Sequence, residues 1–92
     1  MTVKTTRFDM ADYLDSDEAI LEYFRQVMAD GDSDEIIRAL GHIARARGMA
    51  QIARDTGLSR ESLYKTFSEG SKPRFDTILR VSRALGVPLT VM

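Results

Sequence analysis

One short stretch of the chain carries five side chains that could form hydrogen bonds with the bases or backbone of duplex DNA. They are Ser59, Arg60, Glu61, Tyr64 and Lys65. Arg60 and Lys65 can donate to guanine O6 and N7, and Glu61 can accept from cytosine N4. Ser59 can contact a base or a phosphate, and Tyr64 can stack on a sugar or donate its hydroxyl to a phosphate. Each residue alone is also compatible with a solvated surface, so the test is whether one helix face presents them together.

Four other polar residues could extend such an interface along the phosphate backbone. Gln51 lies near the start of a predicted helix, where helix N-termini and amide side chains meet phosphate. Lys72, Arg74 and Thr77 surround the predicted start of the last helix. We expect these three to contact phosphates beyond those reached from residues 59–65. The predicted DNA-binding site consists of both sets.

Residues 49–68 must position the first set, and their sequence is typical of two short helices joined by a turn. Gly57 lies where the chain must reverse, and we expect it to adopt the left-handed backbone conformation that glycine tolerates. Ser59 then begins the second helix. Five apolar residues can pack the two helices together: Ile52, Ala53, Leu58, Leu63 and Phe67. This is the layout of a helix-turn-helix, whose second helix can enter the major groove of DNA.

Three further helices are predicted around this pair, because apolar residues recur at helical spacing between capping residues and glycines. The first of them reaches about Ala29 or Asp30. Gly41, inside the second, is a poor helix former and is expected to permit close packing of another helix. The predicted caps and ends, in chain order, are Asp15 or Ser16 with Gly31, Ser33 with Gly48, and Asp76 with Gly86. Residues 15–92 are therefore predicted to form one all-α domain of five helices.

The two ends of the chain lack a helical period. Thr2–Phe8 is rich in β-branched residues, which favours a short strand or an ordered arm. We predict that residues 1–14 form an N-terminal arm whose apolar side chains dock on the domain. Leu89–Met92 has strand propensity, and as a short C-terminal strand it could pair with this arm or with a second subunit. The sequence does not choose between these two partners.

Charge is distributed unevenly along the 92 residues, although the formal net charge is only −1. The acidic segment, residues 1–35, contains ten acids and three bases, whereas the basic segment, residues 36–92, contains four acids and ten bases. The basic segment contains the predicted helix-turn-helix, which favours a nucleic-acid partner over a solvated surface of mixed sign. The acidic face of the first predicted helix (Asp17, Glu18 and Glu22) is expected to be solvated or to contact a basic protein.

Composition disfavours several functional classes. The chain has no cysteine, which excludes disulfides and thiolate metal sites and favours a cytoplasmic location. No apolar run approaches the roughly 20 residues of a membrane span, and the first residues lack the apolar segment of a secretory signal. His42 is the single histidine, so no second histidine or cysteine can join it at a metal. Because a glycine-rich phosphate loop is also missing, we expect no enzymatic activity, no cofactor and no metal.

The region from Gly48 to Val91 resembles the lambda-repressor-type helix-turn-helix domains. The most similar parts are Ala53, Gly57, Leu58 and Ser59, and the passage GSKPRFDTILRVSRALGVPL from Gly70 to Leu89. Many such domains have a DNA-contacting glutamine at the position that Met49 occupies here. The sequence leaves open whether Gln51, two residues further on, replaces it.

Nearly the whole chain resembles a narrower family, the probable addiction-module antidote proteins, also described as DNA-binding prophage proteins. The resemblance is carried by FDMADYLDSDEAI (Phe8–Ile20), ALGHIARARGMAQIARDTGLSRESLYKTFSEG (Ala39–Gly70) and FDTILRVSRALGVPLTV (Phe75–Val91). It implies an antitoxin of a type II toxin–antitoxin pair. Such an antitoxin binds a small basic toxin resembling the RelE ribonucleases and represses its own operon as a dimer.

Three functions are compatible with these expectations. The first is a homodimeric transcriptional regulator that is also an antitoxin, with recognition helices in successive major grooves of a palindromic duplex, about 34 Å apart. The second is a protein-interaction module in which the acidic segment neutralises a basic toxin and DNA binding is incidental. The third is a prophage repressor without a toxin partner. None of them involves a membrane.

Overall fold

The computed structural model describes residues 10–87 and 89, and every regular element among them is a helix. The helices are α1 (Met10–Tyr13), α2 (Asp17–Asp30), α3 (Ser33–Arg47), α4 (Met49–Thr56), α5 (Arg60–Thr66) and α6 (Phe75–Leu85). The five predicted helices correspond to α2–α6. The segments predicted as strands lie outside the described residues except for Leu89, which is not in a strand. None of the described helices is both long enough and apolar enough to cross a membrane.

Part of the predicted N-terminal arm is helical and packs on the rest of the chain. Met10–Tyr13 forms the single turn of α1, which lies against α3. Leu14, the next residue, is buried in the hydrophobic core. The sequence did not predict this helix because four residues are too few to show a period. The burial of Leu14 agrees with the expectation that apolar side chains dock this segment.

Side-chain caps determine where α2 and α3 begin. The Oγ of Ser16 accepts a hydrogen bond from the Ala19 N–H at 3.1 Å. At α3, Asp32 accepts from the Glu35 N–H at 2.9 Å, and the Glu35 carboxylate accepts from the Asp32 N–H at 3.1 Å. This reciprocal pair is a capping box. The prediction of Ser33 as the cap is therefore wrong, because the pair selects Asp32 and leaves Ser33 as the first helical residue.

The last helix, α6, begins earlier than predicted. Asp76 was expected to cap it, but Arg74 occupies the N-cap position with extended backbone angles (φ −69°, ψ 151°), and the helix begins at Phe75. Asp76 lies in the first turn, where its carboxylate interacts favourably with the positive end of the helix dipole. Aspartate is favoured both as a cap and in the first turn, so the sequence alone did not separate the two positions.

The hydrophobic core is built around α3. This helix packs against α1, α2, α4 and α6. Its buried residues are Ala39, Leu40, Gly41, Ile43 and Ala44. Gly41 permits the close packing predicted from the sequence, because a Cβ there would lie only 3.0 Å from the Cβ of Phe67, which follows α5. The central helix therefore supports the part of the chain that contains the predicted site.

The turn between α4 and α5 is fixed by its backbone and by one buried threonine. Gly57 has φ +77° and ψ 8°, the left-handed conformation predicted from the sequence. The Thr56 hydroxyl donates to the Ile52 carbonyl at 2.7 Å, and the same oxygen accepts from the Leu58 N–H at 3.2 Å. These contacts set the direction in which α5 leaves α4.

Candidate nucleic-acid interface

Helix α5 is attached to the core along one side and is open to solvent along the other. Leu63 is its buried residue, with 0% of its surface exposed. Phe67, at the C-cap position, is half-buried and packs against Gly41 of α3. Both residues have the core role predicted from the sequence. Consequently the side of α5 opposite Leu63 is free to present polar groups.

Four of the predicted contact residues lie on this open side. Arg60, Glu61 and Lys65 are exposed, and Tyr64 has 52% of its surface exposed. Side chains four apart are neighbours on a helix, so Arg60 lies beside Tyr64 and Glu61 beside Lys65. A helix of seven residues is about 10 Å long. The four groups therefore form two short rows over a length of about three stacked base pairs.

Ser59 is engaged at the start of α5. Its Oγ accepts from the Ser62 N–H at 3.0 Å and donates to the Ser62 Oγ at 2.9 Å. The hydroxyl proton is therefore used within the protein. Ser59 retains capacity to accept a hydrogen bond from a base, whereas donation to a phosphate would require breaking its bond to Ser62.

The loop after α5 brings Lys72 close to the exposed side of that helix. A groove of about 500 Å³ is lined by Lys65 and Thr66 of α5 and by residues 68–73. The Ser71 hydroxyl donates to the Thr66 carbonyl at 2.6 Å, which ties the loop to the end of the helix. The two lysines therefore face the same groove, although they are separated in sequence.

Arg74 and Thr77 lie at the start of α6. The Arg74 Nε is 3.3 Å from the Asp76 carboxylate, and the Lys72 Nζ is 3.8 Å from that of Asp34. Exposed ion pairs contribute roughly 0–1 kcal/mol, so a phosphate could replace either carboxylate at little cost. Thr77 is half-buried in the first turn. No side chain caps α6, so its first N–H groups favour an anion.

Gln51 lies apart from the other predicted residues. Its amide nitrogen donates to Asp55 at 2.9 Å, and its amide oxygen accepts from Arg54 at 2.8 Å. It lines a groove with Arg47 and the C-terminal end of α6, and none of the described residues lining that groove belongs to α5. The phosphate contact of Gln51 stays a prediction. Met49 packs in the core and is 6% exposed.

Two arginines outside the predicted site lie beside α5. Arg38 and Arg45 are exposed on α3, and they line a groove of about 180 Å³ together with His42 and Tyr64. None of the described residues lining this groove is acidic. The spacing of residues 38, 42 and 45 along one helix face is visible in the sequence. Their proximity to Tyr64 is not, because it depends on how α5 packs on α3.

Tyr23 of α2 packs next to this row of α3 residues. Its ring centroid lies 6.4 Å from that of His42, at an interplanar angle of 56°. Burial raises the pKa of the Tyr23 hydroxyl, and the nearby Arg38 guanidinium partly opposes this rise. The positive charge of Arg38 therefore acts on both α2 and the groove beside α5.

The described residues define an all-helical protein with an exposed polar face on α5. Residues 4–92 match the family described as "Probable addiction module antidote protein", and the chain belongs to this family. This confirms the family predicted from the sequence. Because an antidote acts against a toxin, membership implies an antitoxin role and a toxin partner.

A relative from Haemophilus influenzae strain Rd extends this comparison. It is 44% identical over 91 residues, which cover 99% of this chain and 94% of the relative, and it is described as an uncharacterized protein. No solved structure matches the chain at a significant level.

Proposed function

We propose that this protein is a sequence-specific DNA-binding transcriptional regulator and the antitoxin of a type II toxin–antitoxin pair. In this proposal it acts in the cytoplasm as a homodimer, represses its own operon and neutralises a toxin resembling the RelE ribonucleases. Family membership supports the antitoxin role. The observation that carries the DNA-binding role is the exposed polar face of α5 above a fully buried Leu63.

Residues 49–68 act as a lambda-repressor-like helix-turn-helix, and α5 enters the major groove as its recognition helix. Arg60 and Lys65 donate to guanine, and Glu61 accepts from the amino group of cytosine. Tyr64 contacts a sugar or a phosphate. The buried Leu63 beneath them and the left-handed Gly57 before them keep these groups in one register relative to the bases.

Two grooves beside α5 supply the phosphate contacts. Lys72 and Arg74 contact phosphates next to the groove that Lys72 shares with Lys65. The first turn of α6, which includes Thr77, donates backbone N–H groups to a phosphate. From the second groove, Arg38 and Arg45 of α3 also contact phosphates. Each phosphate contact releases condensed cations and adds about 0.9 to the slope of log affinity against log salt concentration, so binding is strongly salt-dependent. A dimer places two α5 helices about 34 Å apart on a palindromic site.

The combined change Arg60→Ala with Lys65→Ala tests this function. We expect duplex affinity to fall by at least about a hundredfold, because two charged contacts to bases or phosphates are removed. The probes are duplexes of about 30 base pairs that the wild-type protein selects from a random library, with affinity measured by fluorescence anisotropy. Circular dichroism should be unchanged, because both side chains are exposed.

A matched control removes the same amount of charge elsewhere. Arg25→Ala with Arg83→Ala changes two exposed arginines outside α5 and its flanking grooves, and it should bind DNA as the wild type does. If Arg60→Ala with Lys65→Ala retains wild-type affinity, α5 is not the recognition helix. If the wild-type protein enriches no duplex, the DNA-binding function is refuted.

A second candidate is a protein-interaction module that binds a toxin without needing DNA. The exposed acidic face of α2 favours it: Glu18 and Glu22 are exposed, and Leu21 between them is 39% exposed. A basic protein would complement this face. Adding a toxin-capture measurement to the experiment above separates the two candidates. Only this module predicts that the wild-type protein captures the toxin but enriches no duplex.

A further inference from the structure

Phe75 is an exposed aromatic side chain that the hydrophobic core does not require. Among the described residues it is the most exposed large apolar side chain, with 70% of its surface accessible. It is the first residue of α6, whose buried residues, Val81, Ser82 and Leu85, all lie in the later turns. Burial of this side chain against another surface would stabilise it by about 1.5–3 kcal/mol.

The charges around Phe75 indicate the kind of surface that could cover it. Arg74 immediately precedes it, and Lys72 lies three residues before it; both are exposed. Successive Cα atoms are about 3.8 Å apart, so the Cα atoms of Lys72 and Phe75 are at most about 11 Å apart. Lys72 also shares its groove with Lys65 of α5. Phe75 therefore directly follows, in sequence, a segment whose cations lie beside those of α5.

A surface that complements Lys72, Arg74 and Phe75 together must offer anionic groups with apolar groups close to them. The backbone of duplex DNA has this composition, since deoxyribose separates successive phosphates. An acidic protein surface offers carboxylates but no such regular alternation. The acid nearest Phe75 in sequence, Asp76, is already paired with Arg74 at 3.3 Å.

We propose that Phe75 packs against the deoxyribose of the DNA strand whose phosphates Lys72 and Arg74 contact. This inference rests on the proposed DNA-binding function and adds an apolar contact to it. The side chain contributes affinity without releasing counterions, because it neutralises no phosphate. It also fixes the distance between the start of α6 and the DNA backbone.

The salt dependence of binding separates this contact from an ionic one. We expect Phe75→Ala to weaken binding to the selected duplexes about tenfold at every salt concentration between about 50 and 200 mM, with the salt slope unchanged. Arg74→Ala should instead reduce the slope by about one. Phe75→Leu should retain most of the affinity because it keeps an apolar side chain. Leu21→Ala, which changes an exposed apolar residue of α2 outside the proposed DNA interface, is the matched control and should not change the duplex affinity.

The outcomes also distinguish DNA from the other surfaces that could cover Phe75. If Phe75→Ala binds as the wild type does while Arg60→Ala with Lys65→Ala does not, DNA binding stands and the Phe75 contact is refuted. A lower mass of the Phe75→Ala protein in sedimentation, without DNA, would place the ring between two copies of the chain and also refute the proposal. Absence of any enriched duplex would remove the DNA-binding function itself.

Discussion

Helices α2 and α3, which start in the acidic segment, begin differently from α4 and α6 in the basic segment. Ser16 and Asp32 cap the first two with their side chains, and acidic residues occupy both first turns. Gly48 and Arg74 precede α4 and α6 without any side-chain cap, and Asp76 is the only acid in those two first turns. Helix α5 is intermediate, because Ser59 caps it although it lies in the basic segment.

This difference shows where the positive ends of the helix dipoles are neutralised within the chain. At α2 and α3 the protein's own oxygen atoms accept hydrogen bonds from first-turn N–H groups, and nearby carboxylates oppose the dipole. At α4 and α6 the side chains at the N-cap supply no acceptor, so the first-turn N–H groups can accommodate water or an external anion. The starts of α2 and α3 are thus neutralised by their own caps and first-turn acids, whereas the starts of α4 and α6 are suited to an external anion.

Asp32→Ala should have the largest effect on stability among substitutions at these helix starts. It removes the carboxylate that accepts from the Glu35 N–H, while the backbone N–H of residue 32 can still donate to the Glu35 carboxylate. We therefore expect the free energy of unfolding to fall by about 1 kcal/mol, within a range of about 0.5–2. For a domain of this size the melting temperature should fall by about 4–8 °C. Thermal unfolding followed by circular dichroism measures both. DNA affinity should not change, because Asp32 lies in the acidic segment.

Ser33→Ala is the matched control for that change. Ser33 is the first helical residue and not the cap, so its replacement should leave the free energy of unfolding within about 0.5 kcal/mol of the wild type. A larger loss for Ser33→Ala than for Asp32→Ala would show that Ser33 caps α3. The contrast between the capped start of α3 and the uncapped start of α6 would then lack its capping box.

Unlike Asp32→Ala, Arg74→Ser should raise stability and weaken DNA binding. Serine in the extended N-cap conformation can accept from first-turn N–H groups, so the free energy of unfolding should rise by about 0.5 kcal/mol. Arg74→Ala removes the same charge without adding a cap, and it should not stabilise. Both variants should bind DNA more weakly, and to the same extent. Equal stability of the Ser and Ala variants would indicate that the start of α6 is already satisfied.

Most of the helical architecture could be predicted from the sequence. Apolar periodicity and glycines placed α2–α6 correctly, and the left-handed turn at Gly57 was predicted because only glycine adopts it freely. The residues at which the helices start were harder to predict. Asp32 and Ser33 are adjacent and both are good caps, so only the reciprocal bonds with Glu35 decide between them. The single turn of α1 is too short to give a periodic signal.

The candidate site was less predictable than the fold because it depends on tertiary packing. The outward face of α5 follows from the burial of Leu63, which periodicity indicates. The position of Arg45 beside Tyr64 requires knowing how α5 lies on α3. The exposure of Phe75 could not be anticipated either, because aromatic residues commonly pack in the core, whereas the buried residues of α6 begin only at Val81.

The smallest expected effect lies where the two segments meet, at Tyr23 of α2 beside Arg38 of α3. Burial raises the pKa of the Tyr23 hydroxyl above its ordinary value near 10, although Arg38 partly opposes this. At high pH the unfolded chain therefore loses this proton before the folded chain does. Consequently the contribution of Tyr23 to the free energy of unfolding is fully present below about pH 10 and is lost as the pH rises through the folded pKa.

Tyr23→Phe removes this ionisation and should lose less stability than the wild type between about pH 9 and 11. Urea unfolding at several pH values measures the difference, and the other tyrosines cancel because both proteins contain them. If the curves of stability against pH stay parallel, the Arg38 guanidinium fully offsets burial at Tyr23. The Arg38 charge would then act on the acidic segment strongly enough to cancel the effect of burial at Tyr23. The electrostatic separation of the two segments would be weaker than their helix starts indicate.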